Sequence, residues 1–264
     1  MNHHLALDRR RQAQLQQLTV SALRQLGWPS SQTIVDQVRY TIECALSRDG
    51  SHSWELLLRH VGIPTEEYLH TLKDEGRTFY LFQAWLVEAF KRIARGEVSG
   101  TISLNAFIAD IGSGDLKKRV ANIMKNFKQD DPRKILIEIV EAPYGSMNDQ
   151  FFANIAWLKE KGFRFVVDDY DILATKTDDI SRELFERIKN SCDRIKLDHH
   201  VSRMLLDGDS TALAALASFK KDNPNVHITA EGEHTIGSFI LLPRIDAFQF
   251  FDNERRGRGN QSLH

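Results

Sequence analysis

The chain has 264 residues, 42% hydrophobic and 27% charged, the balance of a globular protein that buries most of its apolar surface, which excludes a largely disordered chain. Thirty-five basic against thirty-six acidic residues leave a net charge of −1, so no global field draws in a nucleic-acid polymer and an anionic ligand must be held by local groups. No apolar run approaches the ~20 residues needed to span a bilayer, and Met1-Asn2-His3-His4 lacks the pattern of a signal peptide, so a cytoplasmic protein is expected. Cys44 and Cys192 lie far apart and outside any CxxC spacing, which argues against a disulfide framework and a thiolate zinc site.

In chain order, Leu15, Leu18, Ala22 and Leu26 recur at helical spacing and predict a helix over residues 5–26, stopped by Gly27-Trp28-Pro29. Residues 1–30 therefore form an N-terminal helical segment, whose apolar stripe suits packing on its own domain or against a second copy. Runs at 38–45 and 53–59, separated by Ser47-Arg48-Asp49-Gly50-Ser51, predict a β-hairpin. Phe79, Phe82, Trp85, Leu86, Phe90 and Ile93 supply the apolar face of a helix that ends near Gly96.

From Gly100 onward the pattern alternates. Strands are predicted at 101–104, 135–140, 165–167, 194–197, 226–229 and 245–250. Between them fall helices marked by Leu116, Val120, Ile123 and Phe127, by Phe151, Ile155 and Leu158, and by Ile180, Leu184 and Ile188, then helices around 211–221 and 236–242. Eight strands, six in a strand-then-helix rhythm, predict an α/β fold of the TIM-like (β/α)8 barrel type opened by a hairpin, with residues 31–253 as one domain. A doubly wound open sheet is the structural alternative. The tail 254–264, with Arg255, Arg256 and Arg258 among glycines, is expected to be disordered.

A barrel places its chemistry at the C-terminal ends of its strands, and here those ends are acidic. The fifth run, Arg164-Phe165-Val166-Val167, ends in Asp168-Asp169. Neighbouring strand residues point to opposite sides, so both carboxylates can serve one site only where the strand frays. Close carboxylates repel unless a cation sits between them, so the pair invites a divalent metal; a capped loop start is the plainer reading of the pair alone. The other strands carry Glu55, Asn105, Glu138 and Glu141, Lys196 and Asp198, Glu231, and Gln249. Glu138 and Lys196 stand inside apolar runs, a costly placement without partners or a metal.

Trp54-Glu55-Leu56-Leu57-Leu58-Arg59, Ser103-Leu104-Asn105, Ile137-Glu138-Ile139-Val140-Glu141, Val166-Val167-Asp168-Asp169-Tyr170, Ile195-Lys196-Leu197-Asp198, Ala230-Glu231-Gly232 and Asp246-Ala247-Phe248-Gln249 occur in the order and spacing of the EAL-domain family, which the chain resembles over about residues 38–251. That family comprises phosphodiesterases of cyclic di-GMP and their inactive relatives, on a barrel whose first strand runs antiparallel. The resemblance implies that Glu55, Asn105, Glu138 and Asp168 bind a first Mg²⁺ or Mn²⁺, with Asp168 bridging to a second ion near Asp169 and Asp198. It implies Glu231 as general base, Lys196 as its electrostatic partner, and Gln249 as holding the attacking water or the second ion. Arg59 and Leu57 fall at substrate-binding positions, Arg59 toward a phosphate. Glu141 matches the glutamate that steadies the loop after the fifth strand. The implied ligand is cyclic di-GMP and the product linear pGpG, with a homodimer formed through that loop or the N-terminal helix.

The sequence departs from the family around the site. The first strand, Arg39 to Cys44, lacks the usual Gln-Pro pair. Tyr170-Asp171-Ile172-Leu173 replaces a segment with two glycines, so this loop must follow another path. His234 stands in place of a glutamate, and Gln249 is followed by Phe250-Phe251 rather than Gly-Tyr. The competing expectation is therefore a catalytically silent relative that binds the dinucleotide as a receptor, or binds a protein.

Overall fold

A computed structural model describes residues 38–60, 69, 72, 78–127, 130–140, 147–174, 180–232, 242 and 244–250. Eight strands, β1 (Val38–Ser47), β2 (His52–His60), β3 (Thr101–Phe107), β4 (Ile135–Val140), β5 (Arg164–Tyr170), β6 (Cys192–Leu197), β7 (His227–Gly232) and β8 (Ala247–Phe250), close into a barrel in sequence order. Closure removes the open-sheet alternative. β1 runs antiparallel to both β2 and β8, and each remaining neighbouring pair is parallel. The hairpin between β1 and β2 turns at Gly50, whose φ of 81° suits a residue without a side chain. Arg48 fastens this turn to the segment that enters β8, donating to the carbonyls of Leu242 (2.9 Å) and Ile245 (3.2 Å).

The described helices are α1 (Thr78–Ala94), α2 (Ile108–Ile111), α3 (Leu116–Asn126), α4 (Asp149–Glu160), α5 (Ile180–Ile188), α6 (His199–Leu206) and α7 (Ser210–Asp222). α1 packs on β3, α5 on β5 and α6 on β7. Strand alternation divides the barrel into two faces. One parity (Ile102, Leu104, Ala106; Ile135, Ile137, Ile139; Phe165, Val167; Ile195, Leu197; Ile228, Ala230) is fully buried and joins one apolar core beneath the helices, with Phe82, Phe90, Phe151 and Phe185. The opposite parity carries Ser53 and Glu55, Ser103 and Asn105, Glu138, Asp168, Arg194 and Lys196, Thr229 and Glu231, and Gln249. An apolar outer face thus drives the fold, and a polar lumen is what remains for chemistry.

The structure adjusts several expected elements. β5 extends to Tyr170 and β7 to Gly232, while β8 begins only at Ala247. α2 and α6 were not foreseen. α6 follows directly on Asp198, whose carboxylate accepts from the backbone N–H groups of His200 (2.7 Å) and Val201 (3.4 Å), a helix cap that reads in sequence as a strand-end acid. The expected helices at 5–26 and 236–242, and the tail 254–264, lie outside the described residues.

The two-faced barrel separates stability from function at adjacent positions. Leu104 is fully buried toward the helices, so Leu104→Ala should cost about 2–5 kcal/mol in urea denaturation. Its lumen-facing neighbour Asn105 contributes one hydrogen bond, to the Glu55 carboxylate, so Asn105→Ala should cost less, about 1.5 kcal/mol. Equal losses would contradict the assignment of faces.

Candidate functional site

Side chains from seven strands meet at the C-terminal end of the barrel, and Lys196 of β6 is the common neighbour of four carboxylates among them. Its Nζ lies 3.2 Å from Glu55 Oε2, 3.0 Å from Glu138 Oε2, 3.3 Å from Asp168 Oδ1 and 2.5 Å from Glu231 Oε1. β8 adds Gln249, whose Nε2 donates to Glu55 Oε2 at 2.5 Å, and β3 adds Asn105, which also hydrogen-bonds Glu55. Lys196 and Glu138 are each only 3% exposed, so these charges interact with little screening by water.

The electrostatics follow from that crowding. Burial opposes the Lys196 charge, but Asp168, Glu138, Glu55 and Glu231 outweigh it and hold its pKa well above the usual lysine value. Glu55 is buried too, yet the Lys196 ammonium and hydrogen bonds from Gln249, Lys196 and Asn105 keep its pKa below normal. Burial pushes Glu138 up to about 8, against the pull of Lys196 and with the push of Glu55 and Asp168. Glu231 is raised to about 7, again chiefly by burial. Four carboxylates around one ammonium leave surplus negative charge, the condition that favours a further cation.

The donor set fits a hard divalent ion: the available atoms are carboxylate and amide oxygens. Asn105 Oδ1 and Asp168 Oδ1 are buried without a hydrogen bond, so each has a lone pair for another partner. As they stand, no three His, Cys, Asp or Glu among the described residues are spaced to hold a metal ion. The carboxylates are instead drawn onto Lys196.

The Asp168-Asp169 pair is divided. The β5–β6 register shifts between Val167 and Tyr170, and Asp169 takes φ 47°, so Asp168 enters the cluster while Asp169 is exposed at the rim. Asp198, expected near a second ion, spends one carboxylate oxygen on the cap of α6. The glycine-free loop has a defined path. Tyr170 is buried against Phe185 and Phe219, with ring centroids 5.2 Å and 5.4 Å away, and its carbonyl accepts from the N–H of Asp198. Asp171 accepts from the N–H of Leu173 at 2.7 Å, and Ile172 and Leu173 pack against the core. Leu57 is half-buried with the lumen parity of Glu55. Arg59 lies in β2 with its side chain outside the described residues, as are Glu141 and His234.

Sequence reasoning missed a second polar layer, Ser53, Ser103, Arg194 and Thr229, each two residues before a site residue on its strand. Arg194 Nη1 donates to Ser53 Oγ at 2.9 Å, and Ser103 hydrogen-bonds Glu138. Period-two alternation alone would have found this layer. Glu43 was also missed; it stands directly opposite Glu55 in the β1–β2 register.

No protein-family model matches the sequence, and no curated protein matches it. Solved structures do. The PaMucR phosphodiesterase, solved as a c-di-GMP complex, superposes with a TM-score of 0.66 at 19% identity over 81% of this chain and 94% of that one. The FimX EAL domain of Xanthomonas citri, also in complex with c-di-GMP, gives 0.67 at 9% identity over 92% and 94%. BlrP1 of Klebsiella pneumoniae, a calcium and c-di-GMP complex, gives 0.63 at 19% identity over 81% of this chain and 54% of its own, so the chain spans about half of that protein. The barrel of this chain has the EAL-domain fold.

Two measurements test the site. With a chelator present, Glu138 and Glu231 keep protons in the folded state that the unfolded chain releases near the ordinary value of 4.5. Their stabilisation is present below that value and is lost as pH rises through about 7 and 8. The melting temperature should fall over that window, and less steeply in Glu138→Gln; an equally steep fall would contradict the raised pKa. At Asp169, φ 47° is a conformation glycine adopts freely. Asp169→Gly should therefore retain or raise stability by up to about 1 kcal/mol, while Asp169→Val should lose about 1–3 kcal/mol. The reverse ranking would show that the backbone path is wrong.

Proposed function

We propose that this chain, whose barrel has the EAL-domain fold, is a phosphodiesterase that hydrolyses cyclic di-GMP to linear pGpG with Mg²⁺ or Mn²⁺. The observation that carries this reading is the convergence of Glu55, Asn105, Glu138, Asp168, Lys196, Glu231 and Gln249 in one lumen, when seven separate sequence motifs supply them. The similar structures bind c-di-GMP, and one of them holds calcium with it.

Glu55, Asn105, Glu138 and Asp168 would hold the first ion, with Asp168, Asp169 and Asp198 toward a second. Ions bound there supply Lewis acidity, lowering the pKa of a water and neutralising phosphoryl charge. Glu231, raised to about 7, is matched to accept the proton of the attacking water near neutrality. Lys196 steadies that carboxylate and the charge that develops beside it. Gln249 fixes Glu55 in one orientation through its amide. Arg59 suits a phosphate through its planar guanidinium, with Leu57 facing the substrate and Glu141 steadying the loop after β5. Residues 31–253 form the catalytic barrel, residues 1–30 serve association or regulation, and a homodimer forms through that N-terminal segment or the loop after Asp169. The protein acts in the cytoplasm.

A silent receptor is the second reading. It is favoured by one observation, the packing of Tyr170 to Leu173, which fixes the loop beside the site without glycines. Chromatography of cyclic di-GMP incubated with the protein and Mg²⁺ or Mn²⁺ separates the two. Hydrolysis should yield pGpG and be lost with EDTA and in Glu231→Ala, Glu55→Ala and Asp168→Ala. Intact dinucleotide that nonetheless raises the melting temperature would establish the receptor reading.

A further inference from the structure

Lys196 has three N–H groups and four carboxylate neighbours. Its hydrogen bonds go to Glu55, Glu138 and Glu231, while Asp168 Oδ1, 3.3 Å away, is held by charge. The four oxygens come from β2, β4, β5 and β7, and the Lys196 ammonium touches all of them. Three of the four residues, Glu55, Glu138 and Asp168, are those assigned above to a divalent ion.

We propose that Lys196 is the barrel's internal counter-ion and competes with the divalent metal for the same carboxylates, so that loading the metal displaces the ammonium from part of its cluster. This rests on the metal-dependent reading above and extends it. The second cation of the lumen, Arg194, sits one layer lower and is engaged with Ser53, so it does not take over this role. Lys196 therefore has opposed effects: its charge holds the ring together for folding and serves the chemistry, yet weakens metal binding.

That coupling is measurable without turnover. Calorimetric titration with Mn²⁺ in mildly alkaline buffer should give a Kd about tenfold lower for Lys196→Met than for wild type. Its metal-free melting temperature should fall, and the rise on adding Mn²⁺ should be larger than in wild type. Lys196→Arg, which keeps the charge, should bind Mn²⁺ close to wild type while losing hydrolysis. In case the methionine variant does not fold, wild type carrying ¹⁵N-labelled lysine supplies a second readout: the Lys196 ammonium resonance should shift as Mg²⁺ is added. Wild-type binding of metal with no tightening in Lys196→Met, or with an unmoved ammonium resonance, would overturn the competition and leave the phosphodiesterase reading intact. No binding of either metal by wild type would overturn both.

Discussion

Four carboxylates buried around one ammonium are the constraint on which this barrel's upper end depends. Removing one partner from such a cluster leaves an uncompensated buried charge, a loss of about 3–5 kcal/mol. The cluster is therefore tolerated only because other groups share the load. Gln249 and Asn105 donate to Glu55, Ser103 donates to Glu138, and Lys196 reaches all four acids. The result is a largely buried lumen short of positive charge, which suits it to bind a cation.

The rest of the fold supplies that geometry. The outward parity of each strand is buried against helices, so stability comes from apolar surface that takes no part in the chemistry. Position along the strand then sets height in the lumen. Ser53, Ser103, Arg194 and Thr229 each stand one two-residue step before Glu55, Asn105, Lys196 and Glu231 on their strands, and the register sets Ser103 beside Glu55 and Thr229 beside Lys196. The irregular places lie at the rim: the register shift in β5, the positive φ of Asp169, and the cap formed by Asp198. Rim irregularity beside a regular lumen allows the loops to change while the cluster stays fixed.

Much of this was legible in the sequence because strand and helix periods are local. The hairpin, the alternation from Gly100 onward and the polar strand ends all follow from neighbouring residues. Two things were less legible. Asp198 carries two compatible readings, a site acid and a helix cap, and only the backbone reveals the cap that starts α6. The grouping around Lys196 joins residues 141 and 58 positions away in the chain, a closure that no local pattern encodes. Glycine-free Tyr170 to Leu173 signalled a different loop path, but aromatic packing on Phe185 and Phe219 determines what that path is.

The central claim is that these lumen oxygens bind a divalent cation. Anomalous diffraction from crystals soaked in Mn²⁺ tests it most directly. A peak bounded by Glu55, Asn105, Glu138 and Asp168, with the Lys196 ammonium withdrawn from at least one carboxylate, is expected. Lys196 still bridging all four acids, with no anomalous peak in the lumen, would contradict it.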